Sequence, residues 1–531
     1  MSSNTIVLAD TIHTLDDSMA APKAINISEG RVVALGNRAD AADWLNPSTE
    51  IVDLGDATIV PGLIDEHVHP VMGVALTTGP DLHDAANPAG LRDLLQAELR
   101  RLGHTDWLLA WGLEPKTLPP DLLHRRSLDA IAPGRATVVR FFDGHGMVVS
   151  SEALRRAGIE GPREFTDRSE IECDADGPTG VLQEMQAMDL INNVLPPPDP
   201  AALAGAVADR LRQMAAQGLT AVQAMEHVPG ASGIYAGIES HLGGLPVRIR
   251  AFPWCTPGLG PAGWQQIADQ MTEGGERWQV GGVKLFIDGT IDNGTAWLNQ
   301  PDTHGQSTQS VWPDPEEYAA AIAFFDERGI PTATHAIGDH GVRFALEAIG
   351  RTGRVARHRI EHVESIPDDV IAQFAASGVS AGMQPTHCTQ FTSSDGQDNW
   401  SQRLGQQRAA HAWRIKDLLR AGVPVAIGSD WPIAGHDPRR IMAAARHRMR
   451  TGDRSQSSLD AQQSISALAA LTAYTRTAAW SVGEEDLGVI RVGSRAALTA
   501  FEVDPLRAEP QEFATAPVVL TMVDGDVVHR S

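Results

Sequence analysis

Five side chains of metal-binding type follow apolar, strand-like runs of this sequence. His67 and His69 form an H-x-H pair in VPGLIDEHVH, and the alternation of side chains along a strand places both on one face. The other three are His335 in THAIGD, His362 in IEHVE and Asp430 in GSDWP. Any one of them could have a structural role, but four imidazoles and a carboxylate at strand ends together predict a metal site. Nitrogen and oxygen donors of this kind suit zinc best, with other first-row divalent ions as competitors.

Lys284 is a charged residue within the largely apolar run VGGVKLFIDG. Lysine is scarce in this chain, whose only lysines are Lys23, Lys116, Lys284 and Lys416. Burial lowers the pKa of a lysine, and the neutral amine can add carbon dioxide to become a carbamate that bridges two metal ions. The alternative interpretation is a lysine whose stem packs in the core while its ammonium group reaches the rim.

Eight strand-like runs alternate with helical patterns and must position these side chains. They are residues 59–69, 220–226, 247–254, 280–289, 331–339, 358–364, 379–387 and 424–432. This order predicts an α/β protein with a (β/α)8 TIM barrel over 59–484. The active site of such a barrel lies at the carboxyl ends of its strands, where all six side chains would meet.

The remaining segments predict accessory structure around the barrel. Both chain ends have the turn-rich pattern of short strands, and ISEGRVVALG near the start is similar to MVDGDVVHR near the end. We therefore predict a small β-sandwich domain built from both termini, residues 1–58 and 485–531. Residues 71–219 are too many for an ordinary connection, so they predict an insertion after the first barrel strand, over the barrel mouth.

Composition narrows the classes of partner. A formal net charge of -24 disfavours nucleic acid and anionic membranes, which leaves a small-molecule substrate. We expect neither a signal peptide nor a membrane span, since no basic leader or long apolar run is present. Cys173, Cys255 and Cys388 lack paired spacing, which favours a reducing cytoplasm. A homodimer is expected as the commonest closed assembly.

Taken together, HVH after VPGLID, the strand-borne Lys284, the two later histidines and GSD resemble the amidohydrolase superfamily. VKLFIDG, HAIGD, RIEHVE and GSDWP are most similar to the branch called amidohydrolase family 3, which includes N-substituted formamide deformylases. The resemblance covers nearly the whole chain and implies a metal-dependent hydrolase. The ligands it implies, for two zinc ions bridged by carboxylated Lys284, are His67, His69, Lys284, His335, His362 and Asp430. The chain departs from many relatives in having DGTIDN after strand four where they have a DGSL-type loop, which affects only the choice of substrate.

The predicted reaction is cleavage of a C–N bond in an amide, N-formyl or N-acyl compound by metal-bound hydroxide. Asp430 is the predicted catalytic residue, first as general base and then as general acid. A cyclic amide hydrolase and a deaminase stay open as alternatives on the same barrel, although mononuclear deaminases usually lack the strand-four lysine. A metal-binding regulatory protein without turnover is a third alternative, and the presence of Asp430 counts against it.

Residues near the strand ends suggest the substrate class. The chain has twelve tryptophans and three tyrosines, and tryptophans that follow barrel strands favour an aromatic or bulky apolar substrate. The predicted substrate contacts are His145, Trp254, Asp288, Trp297 and Trp431. We interpret His387, Glu184 and Asp339 as more consistent with structural roles.

Overall fold

The computed structural model describes all residues except 1–3, 17–20, 84, 86, 104–105, 115–117, 120–121, 166, 168 and 453–456. In chain order its strands are β1 (Asn4–Leu8), β2 (Thr11–Ile12), β3 (Ala24–Ser28), β4 (Arg31–Gly36), β5 (Thr49–Asp53), β6 (Thr58–Pro61), β7 (Leu63–Val68), β8 (Leu108–Leu113), β9 (Thr137–Phe141), β10 (Gly146–Val149), β11 (Glu170–Asp174), β12 (Gly177–Gln183), β13 (Leu219–Ala224), β14 (Arg248–Ala251), β15 (Trp278–Val280), β16 (Val283–Phe286), β17 (Thr332–Ala336), β18 (Arg359–His362), β19 (Ser380–Met383), β20 (Val425–Ile427), β21 (Leu498–Phe501), β22 (Val518–Val523) and β23 (Asp526–Arg530).

The helices lie mostly between barrel strands and in the insertion. They are α1 (Pro70–Leu76), α2 (Pro88–Leu99), α3 (Arg125–Ile131), α4 (Ser151–Arg156), α5 (Met185–Asn192), α6 (Pro200–Ala216), α7 (Ala231–Leu242), α8 (Gly260–Asp269), α9 (Pro315–Asp326), α10 (Asp339–Gly350), α11 (Asp368–Ser377), α12 (Pro385–Phe391), α13 (Asn399–Leu404), α14 (Gln406–Ala409), α15 (Ile415–Arg420), α16 (Pro438–His447), α17 (Ala467–Thr472), α18 (Ala478–Ser481) and α19 (Pro510–Phe513). Among the described residues, no helix is both long and apolar enough to cross a membrane.

Parallel strands form the barrel in two sheets, which have the orders β15-β14-β13-β7 and β16-β17-β18-β19-β20. Parallel bridges between Trp254 and Lys284 and between Val68 and Trp431 join the sheets at both seams. The sheets therefore close into one ring with helices between successive strands. This arrangement confirms the predicted α/β class and TIM-type barrel.

The predicted fourth strand is divided in the structure. β15 pairs with β14 and β16 pairs with β17, with Gly281 and Gly282 between them. A Cβ atom on Gly282 would lie 2.1 Å from Cε1 of Phe252, and one on Gly281 would lie 2.6 Å from Nε of Arg250. Only glycine lets the backbone pass this close to the neighbouring strand. Lys284 then lies where the two sheets join, opposite Trp254.

The two chain ends meet in one sheet. One sheet, with the strand order β4-β3-β1-β5, comes from the N-terminal segment alone. A second sheet, with the order β2-β6-β21-β22-β23, combines strands from both chain ends. Residues 58–61 pair with β21 in this second sheet, so the first barrel strand begins at Leu63 rather than at residue 59. Buried side chains of both sheets share one apolar cluster, which includes Val7, Ile25, Ile27, Ile59, Leu498, Leu520 and Met522.

The insertion carries its own sheet, with the strand order β11-β12-β10-β9-β8. Separate apolar clusters cover its two faces, and α2 to α5 contribute to them. The chain returns to the barrel through α6, which begins where the Asp199 side chain accepts a hydrogen bond from the amide of Ala201. Val207, Leu211 and Met214 recur at helical spacing on its buried face and hold the insertion against the barrel.

Candidate metal centre

The ends of β7 and β16 and the loop after β20 bring four of the predicted ligands together. Nε2 of His67 lies 3.2 Å from Nζ of Lys284 and 3.4 Å from Oδ1 of Asp430. Nε2 of His69 lies 3.2 Å from the same carboxylate oxygen. Two imidazoles therefore face one carboxylate, with the lysine beside them.

The other two histidines stand on the next strands of the second sheet. The ring of His362 is centred 4.9 Å from that of His67 and 4.4 Å from that of His335. Nε2 of His335 lies 3.1 Å from the carbonyl oxygen of Gly289. All six predicted ligands line a single cavity of about 590 Å³, so the structure brings them to one place.

Two of these residues have a backbone conformation that side chains rarely adopt. His362 has φ 74° and Asp430 has φ 56°, both in the left-handed region. Glu184, which faces the cavity residue His145, also has a positive φ of 64°. Such conformations persist where the surrounding structure determines them, and they cluster at functional sites.

A buried polar network orients the imidazoles. Nδ1 of His67 donates to Oε2 of Glu361 at 2.8 Å, and Oε1 of Glu361 lies 2.6 Å from Nε of Arg359. Nδ1 of His362 donates to Oε1 of Gln384 at 2.9 Å. Each contact fixes the hydrogen on Nδ1 and leaves Nε2 with a lone pair, which is the tautomer that a metal ligand needs.

Glu226 supports His69 from the end of the second barrel strand. One of its carboxylate oxygens accepts hydrogen bonds from the amides of Val71 and Met72 at 2.6 and 2.9 Å, at the start of α1. The other lies 3.6 Å from Nδ1 of His69. This carboxylate thus contacts both the start of α1 and His69, which lies between β7 and α1.

The donor set fits divalent metal ions. The ligand atoms of His67, His69 and Asp430 lie within 4.8 Å of one another, and so do those of His362, His387 and Asp430. The two groups share the carboxylate of Asp430. Nε2 of His387 is buried and has no hydrogen-bond partner among the described residues, as expected of a nitrogen whose partner is a ligand or a cation. A third group, Glu66, His67 and Glu361, already has a cation beside it, because the guanidinium of Arg359 lies 3.5 Å from Glu66 and 2.6 Å from Glu361.

The amine of Lys284 is buried, with the residue 1% exposed. Burial lowers its pKa to about 8, and no carboxylate of the described chain forms an ion pair with it. About a tenth of the amine is therefore neutral at pH 7 and about half at pH 8. Burial, followed by the charge of Lys284, also lowers the pKa of His67 well below its usual value.

Asp430 and His69 behave as a charge pair. Burial disfavours the carboxylate, but the hydrogen bond and charge of His69 hold the pKa of Asp430 below its usual value. Burial likewise disfavours the imidazolium, yet contacts with Asp430 and Glu226 raise the pKa of His69. The carboxylate is consequently ionised at neutral pH and can accept a proton.

Two of the predicted substrate contacts, Trp254 and His145, line the cavity. Nε1 of Trp254 donates to the carbonyl oxygen of Met225 at 2.7 Å, which leaves the ring as an apolar wall. Nδ1 of His145 lies 2.9 Å from Oε2 of Glu184, and burial opposed by the Glu184 carboxylate leaves the pKa of His145 raised to about 9.

The other three predicted contacts have different neighbours. The buried carboxylate of Asp288 accepts hydrogen bonds from the amides of Trp297, Ile337 and Gly338, which shapes the loop after β17. The Trp297 ring packs on the rings of His340 and Phe344, and that of Trp431 lies 4.4 Å from the guanidinium carbon of Arg210. None of the three is among the described residues that line the cavity. Asp339 accepts hydrogen bonds from Asn299.

Sequence reasoning gave His387 a structural role and missed the buried partners of the imidazoles. His387 begins no recognisable motif, but it follows an apolar strand as the ligands do. Glu66 lies in β7 (LIDEHV) and Glu361 lies in β18 (RIEH), where other polar residues adjoin them. No isolated break in an apolar run, of the kind that marks Lys284, therefore marks either glutamate in the sequence.

This chain is similar to known proteins in sequence and in structure. A model of the amidohydrolase family matches residues 50–529. The Bacillus subtilis (strain 168) protein YtcJ is 26% identical, over 98% of this chain and 98% of its own. An N-substituted formamide deformylase of Arthrobacter pascens is 24% identical, over 98% and 97%. The crystal structure of an uncharacterized metal-dependent hydrolase from Pyrococcus horikoshii OT3 covers 96% of this chain and 99% of its own, at 23% identity and a TM-score of 0.75.

Proposed function

The chain belongs to the amidohydrolase family, and from that premise we propose that it is a metal-dependent hydrolase of carbon–nitrogen bonds. The substrate is a small amide, N-formyl or N-acyl compound with an aromatic or bulky apolar group. Hydrolysis releases an amine and a carboxylic acid.

The observation that carries this proposal is the sharing of Asp430 by two groups of imidazoles beside a buried lysine. An acid that faces several imidazole nitrogens in one cavity suits metal-assisted hydrolysis better than a purely structural role. The cavity wall supports the apolar substrate class, since it includes Met72, Leu109, Met188, Trp254, Phe286 and Ile433.

The residues that would hold two zinc ions are His67, His69, Lys284, His335, His362 and Asp430. When bound, such ions polarise a carbonyl group and lower the pKa of water. We propose that the neutral amine of Lys284 adds to the carbon of carbon dioxide and releases one proton. The resulting carbamate would offer two oxygens and a negative charge as ligands for those ions.

Asp430 moves the proton of the reaction. Its carboxylate is ionised at neutral pH and lies within 3.4 Å of His67 and His69. It takes a proton from the attacking water and returns it to the nitrogen of the departing amine, so the proton is balanced over one cycle. Glu361 and Gln384 hold the imidazoles in a fixed tautomer throughout.

A substrate screen tests the function. The zinc-loaded protein is incubated with N-formyl, N-acyl and cyclic amides, and release of amine is measured by mass spectrometry against an Asp430→Asn control. Amine release by the native protein alone is expected. Turnover of cyclic amides only would favour ring opening, release of ammonia with one ion per chain would favour a deaminase, and metal binding without any turnover would favour a regulatory protein.

Several further assignments are proposed with this function. The two terminal sheets form a β-sandwich domain, and Cys173, Cys255 and Cys388, which are free, suit a reducing cytoplasm. We also keep the predictions that the partner is a small-molecule substrate and not nucleic acid or a membrane, and that the protein is a homodimer. The predicted domain bounds are kept as well: 1–58, 59–484 with the insertion 71–219, and 485–531.

A further inference from the structure

Arg140 is a charged residue on an apolar face of the insertion. It lies in β9, whose sequence TVVRF alternates between the two apolar clusters of the insertion sheet. Val138, two residues earlier, belongs to the cluster that also contains Met188 and Ile191 of α5. By alternation Arg140 points to this same side, where it lines the cavity that holds the candidate metal ligands.

The guanidinium group has few partners of its own. It donates one hydrogen bond, from NH2 to Oδ1 of Asn192 at 2.9 Å, and no carboxylate of the described residues forms an ion pair with it. Burial lowers the pKa of Arg140 to about 10, so the group is still a cation at neutral pH. A guanidinium that is partly removed from water normally has most of its N–H donors matched by carboxylate or carbonyl oxygens.

The nearest acidic residue does not supply that match. Asp189 accepts a hydrogen bond from Nδ2 of Asn192 at 3.2 Å, so Asn192 stands between the two charges. Asp189 is also exposed, and water can hydrate its carboxylate, whereas Arg140 is half-buried in the cavity wall. Asp143 and Asp189 also line the cavity, but among the described residues neither forms an ion pair with Arg140. The two oxygens of Asp143 accept hydrogen bonds from the amide of His145 and from Nδ2 of Asn293, so the donors of Arg140 are matched by neither carboxylate.

The surrounding wall limits what can reach this cation. Apolar side chains of the barrel and the insertion line the cavity that Arg140 shares with the candidate metal ligands, among them Leu109, Met185, Met188, Leu195, Trp254 and Phe286. A ligand that fills a cavity of about 590 Å³ can contact both Arg140 and the candidate metal ligands, since all of them line it. Its middle must be apolar, and its far end must complement a guanidinium.

We propose that Arg140 determines substrate specificity by binding a carboxylate on the substrate, at the end of the apolar cavity away from the scissile C–N bond. This inference rests on the proposed hydrolase function and narrows its substrate class to amides with an apolar body and an anionic end. Guanidinium and carboxylate form two parallel hydrogen bonds, which selects a carboxylate over a neutral amide of the same shape.

A matched pair of amides tests the assignment. 4-(Formamidomethyl)benzoate and 4-(formamidomethyl)benzamide differ only in the anionic group, and kcat/KM is measured for both. We expect Arg140→Gln to lower kcat/KM for the benzoate about tenfold or more and to change that for the benzamide by less than about twofold. Arg140→Lys keeps the charge and should retain part of the preference. Arg126→Gln is the control, because Arg126 forms an exposed ion pair with Asp176 in the same subdomain.

Direct binding separates this inference from the function on which it rests. The affinities of 4-methylbenzoate and 4-methylbenzamide for the holoenzyme and its Arg140 variants are measured by calorimetry. Loss of benzoate binding in Arg140→Gln supports the assignment even if neither formamide is hydrolysed, in which case the proposed reaction fails alone. Equal loss of both probes, or no preference for the anion in the native protein, overturns the assignment. Thermal unfolding of each variant identifies any that does not fold. If Arg140→Gln does not fold, the affinities of Arg140→Lys for the two probes decide whether Arg140 binds the carboxylate.

Discussion

Nε2 of His67 lies 3.2 Å from Nζ of Lys284, while Nδ1 of the same ring donates to Glu361 at 2.8 Å. The lysine amine is thus directed at the lone pair of an imidazole and not at a carboxylate. An ammonium group in a buried strand normally has an anionic partner. Its absence among the described residues is what a chemically modified amine or a nearby metal ion would explain.

Replacing Lys284 tests this explanation. Lys284→Met keeps the length of the side chain but cannot form a carbamate, so we expect the zinc content to fall from about two ions per chain to one or fewer. We expect kcat/KM to fall at least about 100-fold. In the native protein, labelled bicarbonate should give a carbamate carbon signal in the NMR spectrum that the variant lacks. Lys23→Met, at an exposed position, is the control; full zinc content with a bare amine would contradict the bridge.

Asp430→Asn separates metal binding from proton transfer. The amide keeps an oxygen that can act as a ligand but cannot accept the proton of the attacking water. We therefore expect most of the zinc to remain while kcat falls by about 100- to 10,000-fold. Elemental analysis and steady-state kinetics measure the two effects, with exposed Asp56→Asn as the control. Near-normal turnover in Asp430→Asn would remove this residue from the mechanism.

The sequence predicted the histidines and the lysine because each lies in or just after a strand-like run, where barrel geometry brings distant residues together. The sequence did not show which side chain hydrogen-bonds each histidine. That His67 contacts Glu361, and that His362 contacts Gln384, depends on the register of neighbouring strands. Register follows from packing across the whole sheet, which a single sequence does not display.

The insertion shows a different limit. Its length alone indicated separate structure, but the polarity of TVVRFF does not reveal that Arg140 would share a cavity with residues of the barrel. The tryptophans show the same limit, because Trp254 faces that cavity while Trp297 and Trp431 pack elsewhere. Position after a strand predicts nearness to the barrel rim and not the direction of the side chain.

Gly282→Ala tests the close passage between β15 and β16. The added methyl group would lie 2.1 Å from the buried ring of Phe252, so we expect the free energy of unfolding to fall by about 1–3 kcal/mol. Chemical denaturation measures it. In the control, Gly233→Ala, the methyl group meets no atom within 4 Å in exposed helix α7 and should be neutral or stabilising. Equal stability of the two variants would mean that the passage is not tightly packed.

His387→Gln tests whether this histidine belongs to the metal centre. Nε2 of its ring lies 3.7 Å from Oδ2 of Asp430 and forms no hydrogen bond with any part of the chain that the structure describes. If it supports an ion, the affinity for the second zinc should fall about 10- to 100-fold, measured by competition with a chelator. Unchanged zinc affinity with a raised KM would assign His387 to the substrate instead. Exposed His241→Gln is the matched control.

His436 makes stability depend on pH. The buried ring donates from Nδ1 to Gln217 at 2.6 Å and accepts from Arg210 at 3.1 Å, and burial followed by the Arg210 charge lowers its pKa to about 4. The unfolded chain binds this proton near pH 6.5, so stability is complete above that pH and falls as the pH drops toward 4. The loss reaches about 3 kcal/mol at most. His436→Gln should flatten that part of the stability curve in denaturant titrations, whereas exposed His241→Gln should leave it unchanged. An unaltered slope in His436→Gln would assign the pH dependence to other buried groups.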